Sequence, residues 1–543
     1  MPDQPEISKE KMVGTKNSQE RFEPDALVQQ GFILHQQGKL HEAQAIYEHL
    51  LNIQPNHFDA LQLLGAVFVA TRRHAQAVDI FTKALEVNPD RADIYYNQGI
   101  ALKELRDWDG ALLSYGKAIG IKPDYVEAYY NQGNALQELQ RLDEALLSYD
   151  KAISIKPDYA EAYNNRGNIL RELKRLDEAL VNYDKAISIK PHQVVLYYNR
   201  GNILRELKRL DEALVNYDKA ISINPDHAGA HWNRSLCHLL KGDFSAGWQG
   251  YEWRWKNENA SHASGNRSFT EPLWLGQEDL NNKTILLYAE QGLGDTIQFC
   301  RYATKVSKLG AKVILEVQQP LLKLLTRLEG VDEIFSRGDL LPRFDYQCPL
   351  LSLPLAFKTD LQSIPPTSRN IRADKEKITK WEILLGERTK PRVGIAWSGG
   401  TMLKNVFNRS LTLSEILPYL ASNVEYVSLQ KEIRDVDKTL LNQHSEIKHF
   451  GEALEDFTDT AALCELMDIV ISVDTSIAHL AGTIGINTWV LLPYSPDWRW
   501  LLDGNESPWY PSMKLYRQEK KMDWDGTLDT LMSDLEKIGK RIN

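Results

Sequence analysis

Apolar residues recur at helical spacing through the first half of the chain, in blocks that repeat every 34 residues. Residues 165–189 are identical to residues 199–223. A proline and a glycine recur at the same interval, and a proline cannot continue the helix before it, so each proline separates two units. The recurring residues are Pro55, Pro89, Pro123, Pro157, Pro191 and Pro225, with Gly31, Gly65, Gly99, Gly133, Gly167 and Gly201. The pattern predicts successive pairs of helices.

This arrangement resembles the tetratricopeptide repeat, a helix–turn–helix unit of 34 residues. Seven units cover residues 24–261, after a polar segment, 1–23, that we expect to be a flexible tail. The resemblance implies an all-α superhelix with a concave surface for a protein or peptide partner. The seventh unit is degenerate. Its residues Trp248, Tyr251 and Trp255 share one helical face, which predicts a cap packed on the end of the array, in preference to a ligand site.

One column of the repeats carries an amide side chain in successive units. Amides offer both a donor and an acceptor, so a row of them can pair with a peptide backbone of any sequence. The column resembles the asparagine ladder of the nucleocytoplasmic O-GlcNAc transferases, which holds the substrate chain. The alternative is a local structural role within each repeat. The candidate groove residues are Asn97, Asn131, Asn165, Asn199 and Asn233.

The second half alternates short apolar runs with helical stretches, which predicts parallel sheets with ligands at the carboxyl ends of the strands. The predicted strands are 283–288, 312–317, 392–397, 424–429, 468–473 and 488–492. They divide into two Rossmann-like units, 280–385 and 391–515, with a cleft between them. We expect residues 262–279 to be a linker and 516–543 to be a C-terminal helical segment.

A glycine-rich turn follows the first predicted strand. A dinucleotide-binding fingerprint would need a third glycine at position 297, which is isoleucine, and Asp295 would repel a pyrophosphate. A carboxylate above a sheet edge suits a general base instead. Asp295 is therefore a candidate catalytic base, and its other possible role is to cap the helix that follows.

The run Asp474-Thr475-Ser476-x-x-His479 follows a strand in the second unit and opens a helix. The free N–H groups and the dipole of a helix N-terminus favour a diphosphate. His479 lies one turn further on the same side, where it could bond a phosphate or a ribose. These residues are candidates for donor binding, although a lone histidine is more often structural.

Together the two motifs are similar to those of the heptosyltransferase-like enzymes of glycosyltransferase family 9, which have the two-domain GT-B fold. The resemblance covers roughly residues 280–515. It implies that Asp295 is the base on the acceptor side and that the motif from Asp474 to His479 binds the nucleotide diphosphate of a nucleotide-sugar. It implies inverting sugar transfer, with the nucleotide-sugar as substrate, no cofactor and no metal ion.

The sequence departs from this family at several donor-side positions. Ser476 replaces a glycine, and Ser398 and Gly399 follow the first strand of the second unit, where the family has a lysine. Arg409 is the candidate replacement cation for phosphate, and a surface ion pair is its other interpretation. Gln430 lies where the family contacts the nucleoside.

Composition narrows the function classes. The net charge is −10 with no basic run, which argues against a nucleic-acid partner. The four cysteines are scattered, so neither a zinc cluster nor a disulfide framework is indicated, and no apolar run approaches the length of a membrane span. We expect a cytoplasmic glycosyltransferase that recruits an acceptor, most simply a protein, through its repeats. The alternative is a non-catalytic scaffold with a degenerate sugar-transfer domain.

Overall fold

Helix pairs follow one another through the first half of the chain, at the 34-residue interval of the sequence. The computed structural model describes residues 22–257, 269–367, 371–400 and 409–542. The chain divides after Ile203 into two compact units. The pairs are Phe22–Gln36 with Leu40–Ile53, Phe58–Ala70 with His74–Val87, Ala92–Glu104 with Trp108–Ile121, Val126–Glu138 with Leu142–Ile155, Ala160–Glu172 with Leu176–Ile189, Val194–Glu206 with Leu210–Ile223, and Ala228–Leu240 with Phe244–Tyr251.

A glycine on the first helix of a pair faces an aromatic ring on the second. A Cβ atom at Gly99 would lie 2.5 Å from Cε1 of Tyr115, and one at Gly65 would lie 2.3 Å from the same atom of Phe81. Both rings are fully buried. The recurring glycine is therefore required by close helix packing, and this explains its period.

The turn inside each pair has its own periodic feature, a residue with positive φ. An ordinary side chain adopts this conformation at some cost, and glycine adopts it freely. Glycine occupies the position in the first and last pairs, and longer side chains occupy it between them. The residues are Gly38, Arg72, Arg106, Gln140, Lys174, Lys208 and Gly242.

The second half contains parallel strands connected by helices. The strands are β1 (Thr284–Tyr288), β2 (Lys312–Val317), β3 (Glu333–Ser336), β4 (Tyr346–Pro349), β5 (Arg392–Ala396), β6 (Glu425–Ser428), β7 (Ile447–His449), β8 (Ile469–Val473), β9 (Thr488–Leu492) and β10 (Met513–Arg517). The α-helices are Leu293–Phe299, Ala303–Ser307, Leu322–Leu325, Leu353–Ala356, Lys375–Leu385, Leu413–Ile416, Asp435–Gln443, Phe457–Glu465, Ser476–Ile484 and Asp525–Ile542. Short 3-10 turns include Glu252–Trp255 and Trp498–Trp500.

Two sheets are formed, with strand orders β3-β2-β1-β4 and β10-β9-β8-β5-β6-β7. Neighbouring strands are parallel throughout both sheets. The predicted strands 312–317 and 488–492 agree with β2 and β9, and the other four predicted strands agree with β1, β5, β6 and β8 to within one or two residues. The strands that were not predicted, β3, β4, β7 and β10, are the edges of the two sheets.

The helix Lys375–Leu385 corrects one predicted boundary. We assigned residues 280–385 to the first Rossmann-like unit, but this helix packs on the helix Phe457–Glu465 beside the second sheet. The indole N–H of Trp381 donates to Oδ1 of Asp459 at 3.0 Å, and Lys377 pairs with the same carboxylate at 2.8 Å. The buried Trp381 side chain therefore fixes the helix to the second sheet, so the helix is not part of the first.

The end of the second unit also lies further along the chain than predicted. Strand β10 continues through Arg517, beyond the expected boundary at 515. The helix Asp525–Ile542 buries Leu528, Leu531 and Leu535 in the apolar core shared with β5, β8 and β9. The segment 516–543 therefore completes the second sheet and its covering layer, because its apolar face has no other core to enter.

The predicted linker, 262–279, is partly structured. Residues 262–268 lie outside the described residues, as does most of the N-terminal tail. Leu273 forms a parallel bridge with Gln347, and the N–H of Trp274 donates to the carbonyl of Gln347 at 2.9 Å. The Trp274 side chain is buried. Residues 272–274 thus extend the edge of the first sheet beside β4.

The aromatic face of the seventh repeat packs against the α/β region. Trp248 is 2% exposed and its N–H donates to the carbonyl of Thr359 at 2.9 Å. Its ring meets Trp498 edge to face, with centroids 5.2 Å apart. Tyr251 is equally buried and Trp255 is half-buried. The predicted packing role of these aromatics fits the structure, and the surface that they cover belongs to the α/β region.

A buried charge network lies at the same junction. The guanidinium of Arg254, from the turn after the seventh repeat, contacts both carboxylate oxygens of Glu290, each at 3.0 Å. Its other partners are Glu252 and Ser352, at 2.6 and 2.7 Å. Burial, and next the charge of Glu252, raise the pKa of Glu290 to about 7, although Arg254 opposes the rise. The sequence analysis did not single out this network.

Candidate functional site

The donor-side candidates lie where the strands of the second sheet end. Ser398 and Gly399 follow β5, Gln430 follows β6, and Asp474 to Ser476 follow β8. These strands are neighbours in the order β8-β5-β6. Because parallel strands present their carboxyl ends at one edge, the predicted residues come together there.

Gly294, in the first turn of the helix Leu293–Phe299, lies against the helix Ser476–Ile484. A Cβ atom at Gly294 would come within 2.8 Å of Cδ2 of His479 and 3.3 Å of the Cα of Ser476. This approach brings the Gly-Asp turn of the first sheet to the first turn of the helix after β8. The two motifs, separated by about 180 residues in sequence, therefore form a single cluster.

Asp295 makes two kinds of contact in this cluster. Its Oδ2 accepts the N–H of Gly292 at 2.8 Å, so it caps the short helix Leu293–Phe299 as one interpretation predicted. Its Oδ1 pairs with Nη2 of Arg499 at 2.5 Å. The side chain is about one-fifth exposed. The capping contact fixes the position of the carboxylate, which is still partly exposed.

Arg499 is the site residue that the sequence analysis missed. Besides Asp295, it donates to Oε1 of Gln298 at 2.8 Å and to Oδ1 of Asp497 at 2.8 Å. Burial opposes its charge, but the carboxylates of Asp497 and Asp295 raise the pKa of Arg499 above its ordinary value. The available sequence signal was the arginine in the run Asp-Trp-Arg-Trp, residues 497–500, which follows β9. Trp498 and Trp500 are 4% and 0% exposed, which gives them packing roles.

Asp474 is a buried carboxylate with cations on two sides. Burial, and next the nearby charge of Asp497, raise the pKa of Asp474 to about 6. Arg409 and Arg499 oppose this rise. Nη1 of Arg409 lies 4.0 Å from Asp474, and Nε2 of His479 lies 3.9 Å away. Arg409 is thus placed beside the predicted motif, as a phosphate-binding cation would have to be.

His479 is held as a neutral imidazole. Its Nδ1 lies 3.0 Å from the hydroxyl of Tyr510, and its ring stacks on Trp500 with centroids 5.4 Å apart. Burial lowers the pKa of His479 well below its ordinary value, and the positive charges of Arg499, Arg301 and Arg409 lower it further. A neutral ring with one nitrogen bound to Tyr510 keeps the other nitrogen for hydrogen bonding on the Asp474 side.

Thr475 and Ser476 form the start of the helix Ser476–Ile484. Thr475 is the N-cap residue with extended backbone, and its hydroxyl lies 3.1 Å from that of Ser472. Thr475 and Ser476 are both half-buried. Gly294 lies over this turn, so the free N–H groups there are crowded by the first turn of the helix Leu293–Phe299.

Gln430 shapes the loop that holds Ser398. Its Oε1 accepts the N–H groups of Trp397 and Ser398 at 2.7 and 3.1 Å, and its Nε2 donates to the Ser398 hydroxyl at 3.0 Å. Gly399 donates its N–H to the hydroxyl of Ser410 at 3.2 Å. Gln430 is therefore a positioning residue for this loop, and its contact with a nucleoside stays a prediction.

The asparagine column has structural contacts within the repeats. Nδ2 of Asn131 donates to the hydroxyl of Tyr96 at 3.0 Å, one repeat earlier. Asn165 and Asn199 make equivalent bonds to the preceding repeat, at 2.9 to 3.0 Å. Asn97 and Asn233 are also buried, at 2% and 8% exposure. These bonds favour the local structural role, because they occupy amide donors that a peptide backbone would need.

Metal-binding clusters, disulfides and membrane-spanning helices are absent from the described part of the chain. There, no group of three or more His, Cys, Asp or Glu side chains is placed to hold a metal ion. The four cysteines are free and buried. Within the same ranges, no helix combines the length and the apolar character needed to cross a membrane.

Comparison with known proteins supports the repeats. Three family profiles described as tetratricopeptide or TPR repeats match residues 23–90, 103–140 with 133–170, and 160–193 with 194–227. The N-terminal region is therefore composed of tetratricopeptide repeats, which are protein-interaction modules.

Individual relatives are more distant. The protein FlbA of Caulobacter vibrioides is 25% identical over 333 residues, which cover 56% of this chain and 54% of FlbA. The chain thus matches about half the length of that relative. A crystal structure of MamA is 26% identical and covers 30% of this chain and 94% of its own, with a TM-score of 0.29. YrrB, titled a TPR protein with an unusual peptide-binding site, is 23% identical over 34% of this chain and 95% of its own, with a TM-score of 0.31.

Proposed function

We propose that the α/β region is a glycosyltransferase of the GT-B class that moves a sugar from a nucleotide-sugar to an acceptor hydroxyl with inversion. The observation that carries this proposal is the meeting of two motifs at strand ends. Asp295 follows β1 of the first sheet, and Asp474 and His479 follow β8 of the second. Gly294 brings them together because its missing side chain allows contact with His479. The two parallel sheets are consistent with the two Rossmann-like units of that class.

The reaction assigns one role to each side of the cluster. Asp295 takes the proton of the acceptor hydroxyl, whose oxygen attacks the anomeric carbon. The new glycosidic C–O bond forms as the bond from that carbon to the diphosphate oxygen breaks. The nucleotide diphosphate leaves with the electron pair, and its charge is stabilised by Arg409 and by the helix that begins at Ser476. His479 stays neutral and donates or accepts a hydrogen bond beside Asp474.

The repeats are the acceptor-binding part of this proposal. Tetratricopeptide repeats form extended surfaces for peptides and proteins, so a protein acceptor is the simplest partner. The seventh repeat contacts the α/β region through Trp248 and Arg254, within hydrogen-bond distance of Thr359 and Glu290. A segment bound at the seventh repeat would lie on an element that is packed on the catalytic region.

The direct test is donor turnover by the full chain. ADP-, GDP-, UDP- and dTDP-sugars would be incubated with the wild type, Asp295→Asn and Asp474→Ala, and release of nucleoside diphosphate would be measured. We expect one donor to be consumed by the wild type, with the Asp295→Asn rate reduced by about 10²- to 10⁴-fold. Asp279→Asn, at an exposed turn of the same region, is the control. Equal rates in wild type and Asp295→Asn would contradict the role of Asp295.

The second candidate function is a non-catalytic scaffold, and it is favoured by one specific observation. Asp295 is already paired with Arg499, and Ser476 adds a side chain where the family has glycine. A thermal-shift panel with the same donors separates the two hypotheses, since a ligand that binds the folded state raises its melting temperature. If none of the four donors shifts the transition at millimolar concentration, the scaffold is the better description.

A further inference from the structure

Several buried hydrogen-bond donors near Asp295 and Asp474 have no partner in the described part of the chain. They include Nε2 of Gln298, Nη2 of Arg301 and Nε of Arg409, together with the indole nitrogens of Trp500 and Trp509. Gln298 and Arg301 are 0% and 3% exposed. Buried donors are normally satisfied, so a concentration of unsatisfied donors indicates a missing acceptor.

Gln298 connects these donors to Arg499. Gln298 accepts from Nε of Arg499 through its Oε1, and its carbonyl accepts from Nε of Arg301 at 2.7 Å. Arg409 approaches the same cluster through Asp474, at 4.0 Å. Arg499 thus lies beside Asp295, in the helix after β1, and Arg409 lies beside Asp474, directly after β8. An anionic acceptor would fit these groups, because they are donors and two of them belong to guanidinium groups.

The helix N-terminus by itself is a restricted place for that anion. The first turn of the helix Leu293–Phe299 lies over Ser476, where a Cβ atom added at Gly294 would be 3.3 Å from the Cα of Ser476. Phosphate oxygens at this turn would therefore extend away from the loop. A guanidinium pair can bind two phosphates in a bidentate manner without an open helix end.

We propose that Arg499, together with Arg409, binds the diphosphate of the donor, and that Arg499 releases Asp295 when the diphosphate arrives. This inference rests on the proposed sugar transfer and adds to it a residue and an order of events. Before donor binding, Arg499 holds the base in an ion pair. After donor binding, the phosphates take the guanidinium, and the carboxylate of Asp295 becomes free to accept the proton of the acceptor hydroxyl. Arg499 is a donor-binding residue that also positions the base.

The test is calorimetric titration of the full chain with inorganic pyrophosphate, which contains the proposed ligand group alone. Arg499→Met should weaken pyrophosphate binding by at least about 10-fold, and Arg499→Lys by less, because lysine keeps the charge and loses the fork. Asp295→Asn should strengthen binding by about 3- to 10-fold, since the competing carboxylate charge is removed. Arg388→Met is the matched control, because it breaks an Arg–Asp pair with Asp468 elsewhere on the second sheet.

Asp295→Asn is expected to raise the affinity for pyrophosphate, whereas a partly unfolded variant would lose affinity. The test therefore does not depend on whether a variant folds less well. If Arg499→Met fails to fold, Arg499→Lys and Asp295→Asn decide the result. Wild-type affinity in Arg499→Lys together with unchanged or weaker binding in Asp295→Asn would overturn the proposal. So would a wild type that does not bind pyrophosphate.

The outcome also distinguishes this inference from the proposed function. If pyrophosphate binding depends on Arg499 but no nucleotide-sugar is consumed, sugar transfer fails and the anion site stands. If a nucleotide-sugar is consumed and Arg499→Lys leaves its KM unchanged, the glycosyltransferase stands and the role of Arg499 is refuted.

Discussion

The repeat region and the α/β region differ in how far apart in sequence their interacting residues lie. In the repeats, Gly99 meets Tyr115 within one unit, and Asn131 bonds Tyr96 in the unit before. In the α/β region, Arg499 reaches Asp295 across 204 positions. Short separations repeat with the period of the sequence and are visible in it, whereas a contact across 204 positions leaves no local pattern. The difference explains why the repeats were predicted almost unit by unit and the site only in part.

The substitution with the largest expected effect, Trp248→Ala, tests whether the seventh repeat is structurally part of the α/β region. Trp248→Ala removes a buried indole and its hydrogen bond to Thr359, and such truncations cost about 3–5 kcal/mol. We expect faster hydrogen exchange in β1, β4 and the Trp498–Trp500 turn, because the seventh repeat packs on that region. Trp253→Ala is the control, since its half-exposed ring contacts His231 and Lys256, which lie near it in the sequence. If hydrogen exchange in β1 and β4 is unchanged, the seventh repeat does not stabilise the α/β region and belongs structurally to the other repeats.

Whether a strand was predicted from the sequence also depended on how deeply it is buried. Interior strands such as β2, β8 and β9 are continuous apolar runs, which a sequence shows directly. The strands β3, β4, β7 and β10 are sheet edges, and most of them are half-exposed, so their apolar signal is weak. Asp295 and the residues from Asp474 to His479 were predicted because each motif is local. Arg499 was missed because its importance arises from its partners in the other sheet.

A second prediction concerns the buried charge of Glu290. Its pKa is raised to about 7 in the folded chain, above the value near 4.3 of an unfolded one. The folded state therefore binds this proton more tightly than the unfolded state. The protonated Glu290 contributes to the free energy of unfolding at low pH, and this contribution is lost as pH rises from about 4.5 to 7. We expect this to contribute up to about 3 kcal/mol to the loss of stability over that range.

Thermal unfolding of the wild type and of Glu290→Gln, each at pH 5 and pH 8, measures the pH-dependent contribution of Glu290 to stability. The fall in melting temperature between the two pH values should be smaller in the variant. The raised pKa of Asp474 has the same sign in both proteins and cancels in the difference. An identical fall in both proteins would show that Glu290 stays ionised across the range, as Arg254 alone would favour.

The repeat region offers a matched pair of glycine variants. Gly99→Ala puts a Cβ atom 2.5 Å from the buried ring of Tyr115, so the helices must separate, at a cost of about 1–3 kcal/mol. Gly116→Ala, on the second helix of the same pair, meets nothing within 4 Å and should stabilise by about 0.5–1 kcal/mol. Urea unfolding of the two variants compares them. Destabilisation of equal size in both would mean that close helix packing does not explain the glycine period.

The smallest expected effect decides between the two interpretations of the asparagine column. Asn165→Ala removes bonds to Tyr130 and Asn134 in the preceding repeat, at 3.0 and 2.9 Å. Because the side chain is only half-buried, we expect a loss of about 1 kcal/mol in urea unfolding. The control is Asn88→Ala, at the end of a helix, because the Asn88 side chain is also half-buried and accepts one local N–H, from Asp90 at 3.3 Å. If Asn165→Ala leaves stability unchanged and instead abolishes binding of an acceptor protein, the column is a peptide ladder, and the repeats would then carry function in the same residues that carry their period.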